Sequence, residues 1–169
     1  LAVLVEAAVR NTILRLLSTS PGFAVTGTVR SSAAARKLPA GVADRLVADV
    51  DVTRLETVDR ALEAARPEIV INGIGIVKQF PQGSDPLVSI PINALLPHQL
   101  AQKCAAIGAR LVQLSSDCVF DGKGSMYREA DFASADDLYG RSKLLGEVDY
   151  PNAITLRTST IGHELGSHH

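Results

Sequence analysis

Leu111-Val-Gln-Leu-Ser-Ser-Asp-Cys-Val-Phe-Asp-Gly122 is an apolar run that stops abruptly at two hydroxyls. A short apolar run bounded by turn residues suits a strand buried on both faces, as in a parallel sheet. Ser115 and Ser116 then stand at its carboxyl end. Residues 1–5, 24–29, 46–50, 69–71 and 153–156 have the same apolar character. Helical patterns lie between these runs. Ile13, Leu14 and Leu17 recur at helical spacing within residues 11–17. Thr53 followed by Glu56 has the form of a capping box. It opens a helix that carries Leu55, Val58, Leu62 and Ala65 on one face and is stopped by Pro67. Leu96, Leu100, Cys104 and Ile107 make another apolar stripe, ended by Gly108 and disturbed in its first turns by Pro91 and Pro97. Strands alternating with helices over the whole length predict an α/β fold, a Rossmann-type doubly wound parallel sheet. In such sheets ligands sit beyond the carboxyl ends of the strands. Residues 78–91 and 120–137, rich in Gly and Asp, are expected to be long loops at that edge.

Working outward, the next signal is Tyr139-Gly-Arg-Ser-Lys143. Residues four apart on a helix share a face. A phenol with an ordinary pKa of about 10 is a reluctant acid, and a neighbouring ammonium favours its phenolate and lowers that pKa. A Tyr and a Lys at this spacing also occur on plain solvated helices. Their weight comes from following a strand end that carries Ser115 and Ser116. A hydroxyl there can donate to a substrate carbonyl while Tyr139 delivers a proton.

Composition narrows the function classes. The 169 residues suit one domain, and 46% hydrophobic content with a mean hydropathy of +0.16 supports a sizeable core. Seventeen basic and eighteen acidic residues leave a net charge of −1, which is no footprint for nucleic acid or an anionic membrane. No apolar run reaches the roughly 20 residues of a membrane span, and no signal peptide is visible. Cys104 and Cys118 lack metal-ligand spacing and read as reduced thiols of a cytoplasmic protein. No metal site is expected.

The segment 114–122, then Tyr127, Glu129, Asp131 and residues 139–147, resembles the dTDP-4-dehydrorhamnose reductase group of the extended short-chain dehydrogenase/reductases. Residues 156–162 look like the same group's strand and loop beyond the catalytic helix. The resemblance implies an NAD(P)-dependent oxidoreductase that reduces a nucleotide-linked 4-keto-6-deoxy sugar. It assigns Tyr139 as general acid, Lys143 as the residue that positions the ribose and tunes the phenol, and Ser116, with Ser115 second, as the hydroxyl on the carbonyl. The group usually has Thr at the hydroxyl position and often Tyr where Cys118 stands, so packing against the sugar or nicotinamide is expected to differ. Asp117, Cys118, Val119 and Thr160 are the implied substrate contacts. Asn72, Gly73 and Ile74 match a segment lining the cofactor's pyrophosphate and ribose, and Asn93 matches a position that helps hold the lysine through water. Asp49 falls where the group often places an Asp against adenine. Arg30 follows the second strand, where a carboxylate would indicate NAD. An Arg there favours NADP(H), with NAD(H) as the second choice. The resemblance also allows a homodimer.

Two departures stand beside the resemblance. The first strand of this fold is normally followed by glycines that let a pyrophosphate approach a helix N-terminus. Here Glu6-Ala-Ala-Val-Arg10 follows it, and the first glycine is Gly22. Either this loop is altered or it lacks residues that the group's spacing would supply. Residues 1–162 are expected to form the NAD(P)-binding domain, with that glycine loop absent or incomplete near residues 6–10. The second departure is length: the group continues well beyond Gly162 into a smaller substrate-binding domain, so residues 163–169 are expected to be the start of a truncated substrate-binding region, with the C-terminal substrate domain largely missing from this chain. An epimerase or dehydratase of the same fold, and a non-catalytic NAD(P)-sensing protein, are the alternative functions.

Overall fold

The computed structural model describes residues 2–5, 20–22, 24–35, 45–79 and 81–159. The expected helix at 11–17, the loop near 6–10, Thr160 and residues 163–169 lie outside the described residues. Six strands form one sheet: β1 (Ala2–Val5), β2 (Thr26–Thr28), β3 (Leu46–Val47), β4 (Ile69–Gly73), β5 (Arg110–Leu114) and β6 (Ala153–Leu156). Their order is β3-β2-β1-β4-β5-β6, and every pairing is parallel. This is the doubly wound arrangement, in which the strand order reverses between β1 and β4 and leaves a crevice at their carboxyl ends.

Helices α1 (Ser32–Ala35) and α2 (Leu55–Ala65) follow β2 and β3. After β4 the chain forms a 3-10 turn (Pro81–Ser84), α3 (Pro86–Ser89), a π-helical stretch (Ile90–Leu95) and α4 (Leu96–Ala106). The expected loop at 78–91 is therefore largely helical. Asp85 caps α3 by accepting the Leu87 N–H at 2.9 Å. Pro91 and Pro97 lack the N–H an α-helix needs, and between them the backbone widens into the π form. Helix α5 (Leu138–Leu145) precedes β6. Residues 120–137 carry no regular helix or strand, as the sequence predicted for a loop there.

The core joins α2 and α4 to one face of the sheet. Val58 and Leu62 of α2 and Leu100 and Cys104 of α4 pack around Val70 and Leu111, which are register partners in β4 and β5. Leu55 and Ala65 pack against this cluster, so the predicted face of α2 is the buried one. Three local expectations need correction. The Thr53–Glu56 capping box does not form. Instead, Asp51 accepts the Thr53 N–H at 3.0 Å and its hydroxyl at 2.7 Å, and Arg54 stands at the N-cap of α2 with no side-chain cap bond. Asp51 offers a carboxylate to Thr53 two residues away, a closer turn than a capping box requires. Ile107 does not join the stripe of α4 and is 47% exposed. Gly108 takes a left-handed φ of 73° and the Ala109 N–H returns to the Cys104 carbonyl, so the chain turns away before Ile107 faces inward. In β6, Ile154 and Leu156 are exposed, because this strand is an edge with one open face among the described residues. No helix among the described residues is long and apolar enough to cross a membrane.

Gly146 just beyond α5 packs directly on the Asn93 carbonyl of the π-helical stretch, where an added Cβ would collide with backbone. Gly146→Ala is expected to destabilise the protein by about 1–3 kcal/mol, seen as a lower urea midpoint with an unchanged slope. A wild-type midpoint would show that α5 is not held at this distance.

Candidate functional site

Three segments converge at the carboxyl edge of the sheet. Beyond β5, the Ser115 N–H continues the ladder to the Leu156 carbonyl at 2.8 Å. The chain then tightens into a 3-10 turn (Asp117–Val119), which Ser116 caps by accepting the Cys118 N–H at 3.1 Å. The Ser116 hydroxyl donates to Asp117 Oδ1 at 3.2 Å. Asp137 caps α5 by accepting the Gly140 N–H at 2.7 Å. Gly140 lies so close to the Cys118 carbonyl and the Ala135 methyl that any Cβ would force the helix off the turn. This contact brings Tyr139 beside Ser116, on the same cavity wall.

Lys143 follows one helical turn later and is buried. Its Nζ donates to the Leu114 carbonyl at 2.7 Å. Burial pushes the ammonium down to about 8, and the charge of Glu147 opposes that shift. The Tyr139 phenol, by contrast, sits above its ordinary value. Burial raises it most, the nearby Ser116 hydroxyl pulls it back, and Cys118, Asp117 and Asp137 raise it further. The lowering expected from the neighbouring ammonium does not occur, and burial sets the direction. A phenol held protonated is suited to giving a proton away.

A cavity of about 610 Å³ opens between the ends of β4 and β5. Gly73 and Gly75 line one side, Ser115, Ser116, Asp117 and Cys118 the other, and Tyr139 and Lys143 close it from α5. Val119 is fully buried beside this wall. Asn72 does not open into the cavity. It is fully buried, with Oδ1 accepting the Ile74 N–H at 3.1 Å and Nδ2 donating to Gln113 Oε1 at 2.7 Å. Ile74 turns its side chain to the core. Asn93 is also behind the wall. Its carboxamide pairs with both the N–H and the carbonyl of Ile76, at 2.8 and 2.9 Å, and donates to the Ser142 hydroxyl at 3.1 Å. Lys143 is therefore held directly by Leu114, while Asn93 fixes the turn that carries Gly75 and the helix that carries Lys143.

Arg30 and Asp49 lie apart from this corner, at the ends of β2 and β3. Arg30 is exposed. Asp49 uses both carboxylate oxygens on Ser32, at 3.2 Å from its N–H and 3.0 Å from its hydroxyl, and so shapes the turn next to Arg30. Among the described residues no cluster of three or more His, Cys, Asp or Glu side chains could hold a metal ion.

Gln113 was not singled out in the sequence. It is register partner to Asn72, fully buried, and donates to the same Leu114 carbonyl as Lys143, at 3.0 Å. Its signal was a lone carboxamide inside an apolar strand, where an unpartnered amide would be costly. A dinucleotide fits this arrangement on one count. An ammonium has three donors, and Leu114 is the acceptor that Lys143 meets among the described residues. Two donors remain for hydroxyls in the cavity, beside glycines that leave backbone accessible.

Between residues 14 and 167 the chain matches the family model described as the RmlD substrate binding domain. A dTDP-4-dehydrorhamnose reductase of Streptomyces griseus is 36% identical over 99 residues, covering 58% of this chain and 33% of that protein. Methionine adenosyltransferase 2 subunit beta of Rattus norvegicus is 34% identical over 98 residues, covering 58% and 29%. The chain spans about a third of the length of these curated relatives. Among solved structures, a hypothetical dTDP-4-dehydrorhamnose reductase from Sulfolobus tokodaii superposes with a TM-score of 0.79 at 24% identity, covering 98% of this chain and 57% of that one. A Bacillus anthracis dTDP-4-dehydrorhamnose reductase in complex with NADP gives 0.69 at 22%, covering 94% and 53%. The Bordetella bronchiseptica enzyme WbmG in complex with NAD gives 0.70 at 19%, covering 92% and 52%. These likenesses show the fold.

Lys143 makes stability depend on pH. Below about pH 8 it is charged in both folded and unfolded chains, and the folded state carries the full desolvation cost. Between about 8 and the ordinary 10.5 the unfolded chain binds more protons, so this residue makes stability rise with pH across that window. Urea unfolding at about pH 7 and about pH 10 should show that rise reduced in Lys143→Met. An equal rise in both proteins would mean that Lys143 is not buried as an ammonium.

Proposed function

The chain belongs to the family of the RmlD substrate binding domain, and from that premise we propose that it is the cofactor-binding part of an NAD(P)H-dependent reductase of a nucleotide-linked 4-keto-6-deoxy sugar. The observation that carries this reading is the meeting of Ser116, Tyr139 and Lys143 on one cavity at the carboxyl edge of the sheet. A bound NAD(P)H supplies the hydride. Ser116 donates a hydrogen bond to the substrate carbonyl, and Tyr139 gives its proton to the oxygen as negative charge develops there. Lys143 holds ribose hydroxyls with its remaining donors and favours the phenolate once the proton has left. Asp117, Cys118 and Val119 shape the wall that meets the sugar, and Thr160 belongs to the same contact set.

Gly73 and Gly75 give the cofactor backbone to approach, and Asn72, Ile74 and Asn93 act from behind that wall. Arg30 faces the adenosine end and pairs with a 2′-phosphate, so NADP(H) is preferred to NAD(H). Asp49 braces that turn. In this reading residues 1–162 are the NAD(P)-binding domain and residues 163–169 open the substrate-binding region of a cytoplasmic enzyme.

A second reading, an NAD(P)-sensing subunit without turnover, is favoured by the likeness to a subunit of methionine adenosyltransferase and by the glycine-free stretch near residues 6–10. Nicotinamide absorbance of the intact protein with NADPH, with and without keto-sugar, separates the two. In that assay Tyr139→Phe is expected to lose roughly 10²–10⁴ in rate with the fold unchanged. Full activity in that variant would remove the proton-transfer role. Arg30→Ala is expected to raise the apparent constant for NADPH and leave that for NADH nearly untouched. Equal weakening of both, or no change, would make Arg30 an ordinary surface residue.

A further inference from the structure

Two charged side chains that do not line the cavity meet behind it. Glu147 lies two residues beyond the end of α5, and Arg157 directly follows β6. Arg157 Nε and Nη2 donate to Glu147 Oε1 and Oε2 at 2.9 and 2.8 Å, a bidentate pair. The Ser115 hydroxyl adds a third bond to Oε1 at 2.8 Å. The Glu147 side chain is 15% exposed and that of Arg157 25%. Arg157 also reaches outward. Its Nη1 donates to the Glu129 carbonyl at 3.3 Å, and its guanidinium lies over the Phe120 ring at 5.1 Å. Phe120 in turn stacks on Tyr127 with centroids 4.3 Å apart. The pair therefore ties the segment just beyond α5 to the ends of β5 and β6 and to the loop after the 3-10 turn.

Taking two charges largely out of water is expensive, and apolar side chains of similar volume would fill such a gap as well. What an apolar pair would lack is charge. The ionisable groups that face Lys143 across the cavity are Tyr139 on its own helix, Asp117 and Cys118 from the turn after β5, and Lys78 from the segment after β4. Glu147 is the neighbour whose charge favours the ammonium of Lys143, against the burial that disfavours it.

We propose that Glu147 and Arg157 are a positioning pair for the reaction: Glu147 anchors Ser115, whose neighbour Leu114 supplies the carbonyl that Lys143 holds, and places a carboxylate near that amine, while Arg157 limits the influence of the carboxylate by neutralising it. The kinetic half of this proposal rests on the reductase reading, and the electrostatic half does not. Removing either member breaks the same ion pair, yet the two removals have opposite electrical effects on Lys143. Glu147→Gln leaves an unbalanced cation nearby. Arg157→Gln leaves an unbalanced anion. A purely structural brace would make the two variants alike.

The test is the titration of the Lys143 amine in the intact protein, followed by NMR of isotopically labelled lysines and assigned by loss of the signal in Lys143→Arg. Glu147→Gln should move the midpoint down by about one pH unit and Arg157→Gln up by a similar amount. Arg157→Lys, which keeps the charge, should leave it in place. If Glu147→Gln does not fold, the contrast between Arg157→Gln and Arg157→Lys still decides. Movement in the same direction, or none, overturns the proposal. The pH profile of keto-sugar turnover should follow the titration in each variant, and a profile that stays put while the titration moves overturns the positioning role. Opposite titration shifts in a protein with no turnover would uphold the electrical pairing and sink the reductase reading alone.

Discussion

Lys143 brings an ammonium to a place with little water and gives it one carbonyl, that of Leu114 at the end of β5. Much of the surrounding structure serves that arrangement. Gln113 shares the carbonyl, and through Asn72 it ties β5 to the turn after β4. Asn93 clamps the same turn and the Ser142 hydroxyl beside Lys143. The π-helical stretch, itself bounded by two prolines, is what carries Asn93 inward. The two walls of the cavity are thus joined by buried carboxamides on the same face of the sheet as the apolar pair Val70 and Leu111, with alternate residues pointing the same way. Apolar packing sets the strands side by side, and the polar pairs above it set where their ends stop.

How much of this was legible in the sequence varies with the kind of force involved. Strand β5 and the buried face of α2 came through because repeated apolar spacing reports burial directly, whereas the apolar residues of β6 marked a strand but not a buried one. Ser116, Tyr139 and Lys143 could be picked out because their chemistry is unusual for a strand end and a helix face. Features set by competition between neighbours were hidden. Asp51 took the Thr53 amide that the capping-box pattern needed free. Gly108 turned the chain before Ile107 could be buried. The role of Asn72 depends on a partner 41 positions away, and nothing local marks it. The balance of charge around Tyr139 was also out of reach, because desolvation depends on what packs over the ring.

The likeness to reductases and to a methionine adenosyltransferase subunit is a reminder that one scaffold is shared by proteins with different names. The distinction rests on the site. Among the described residues, the chemical features that a mere scaffold would not require are few: a phenol kept protonated, an ammonium kept dry, and a hydroxyl beside the phenol.

The glycines of α5 bear on how such proteins diverge. Gly140 lies in the first turn of the helix and Gly146 just beyond its end, each pressed against backbone on a different neighbour. A relative that keeps the sheet is held to both glycines whatever chemistry its site performs, because an added Cβ at either would meet backbone. Part of the segment from Tyr139 to Glu147 is therefore fixed by packing alone, and likeness over it speaks for the fold before it speaks for a reaction.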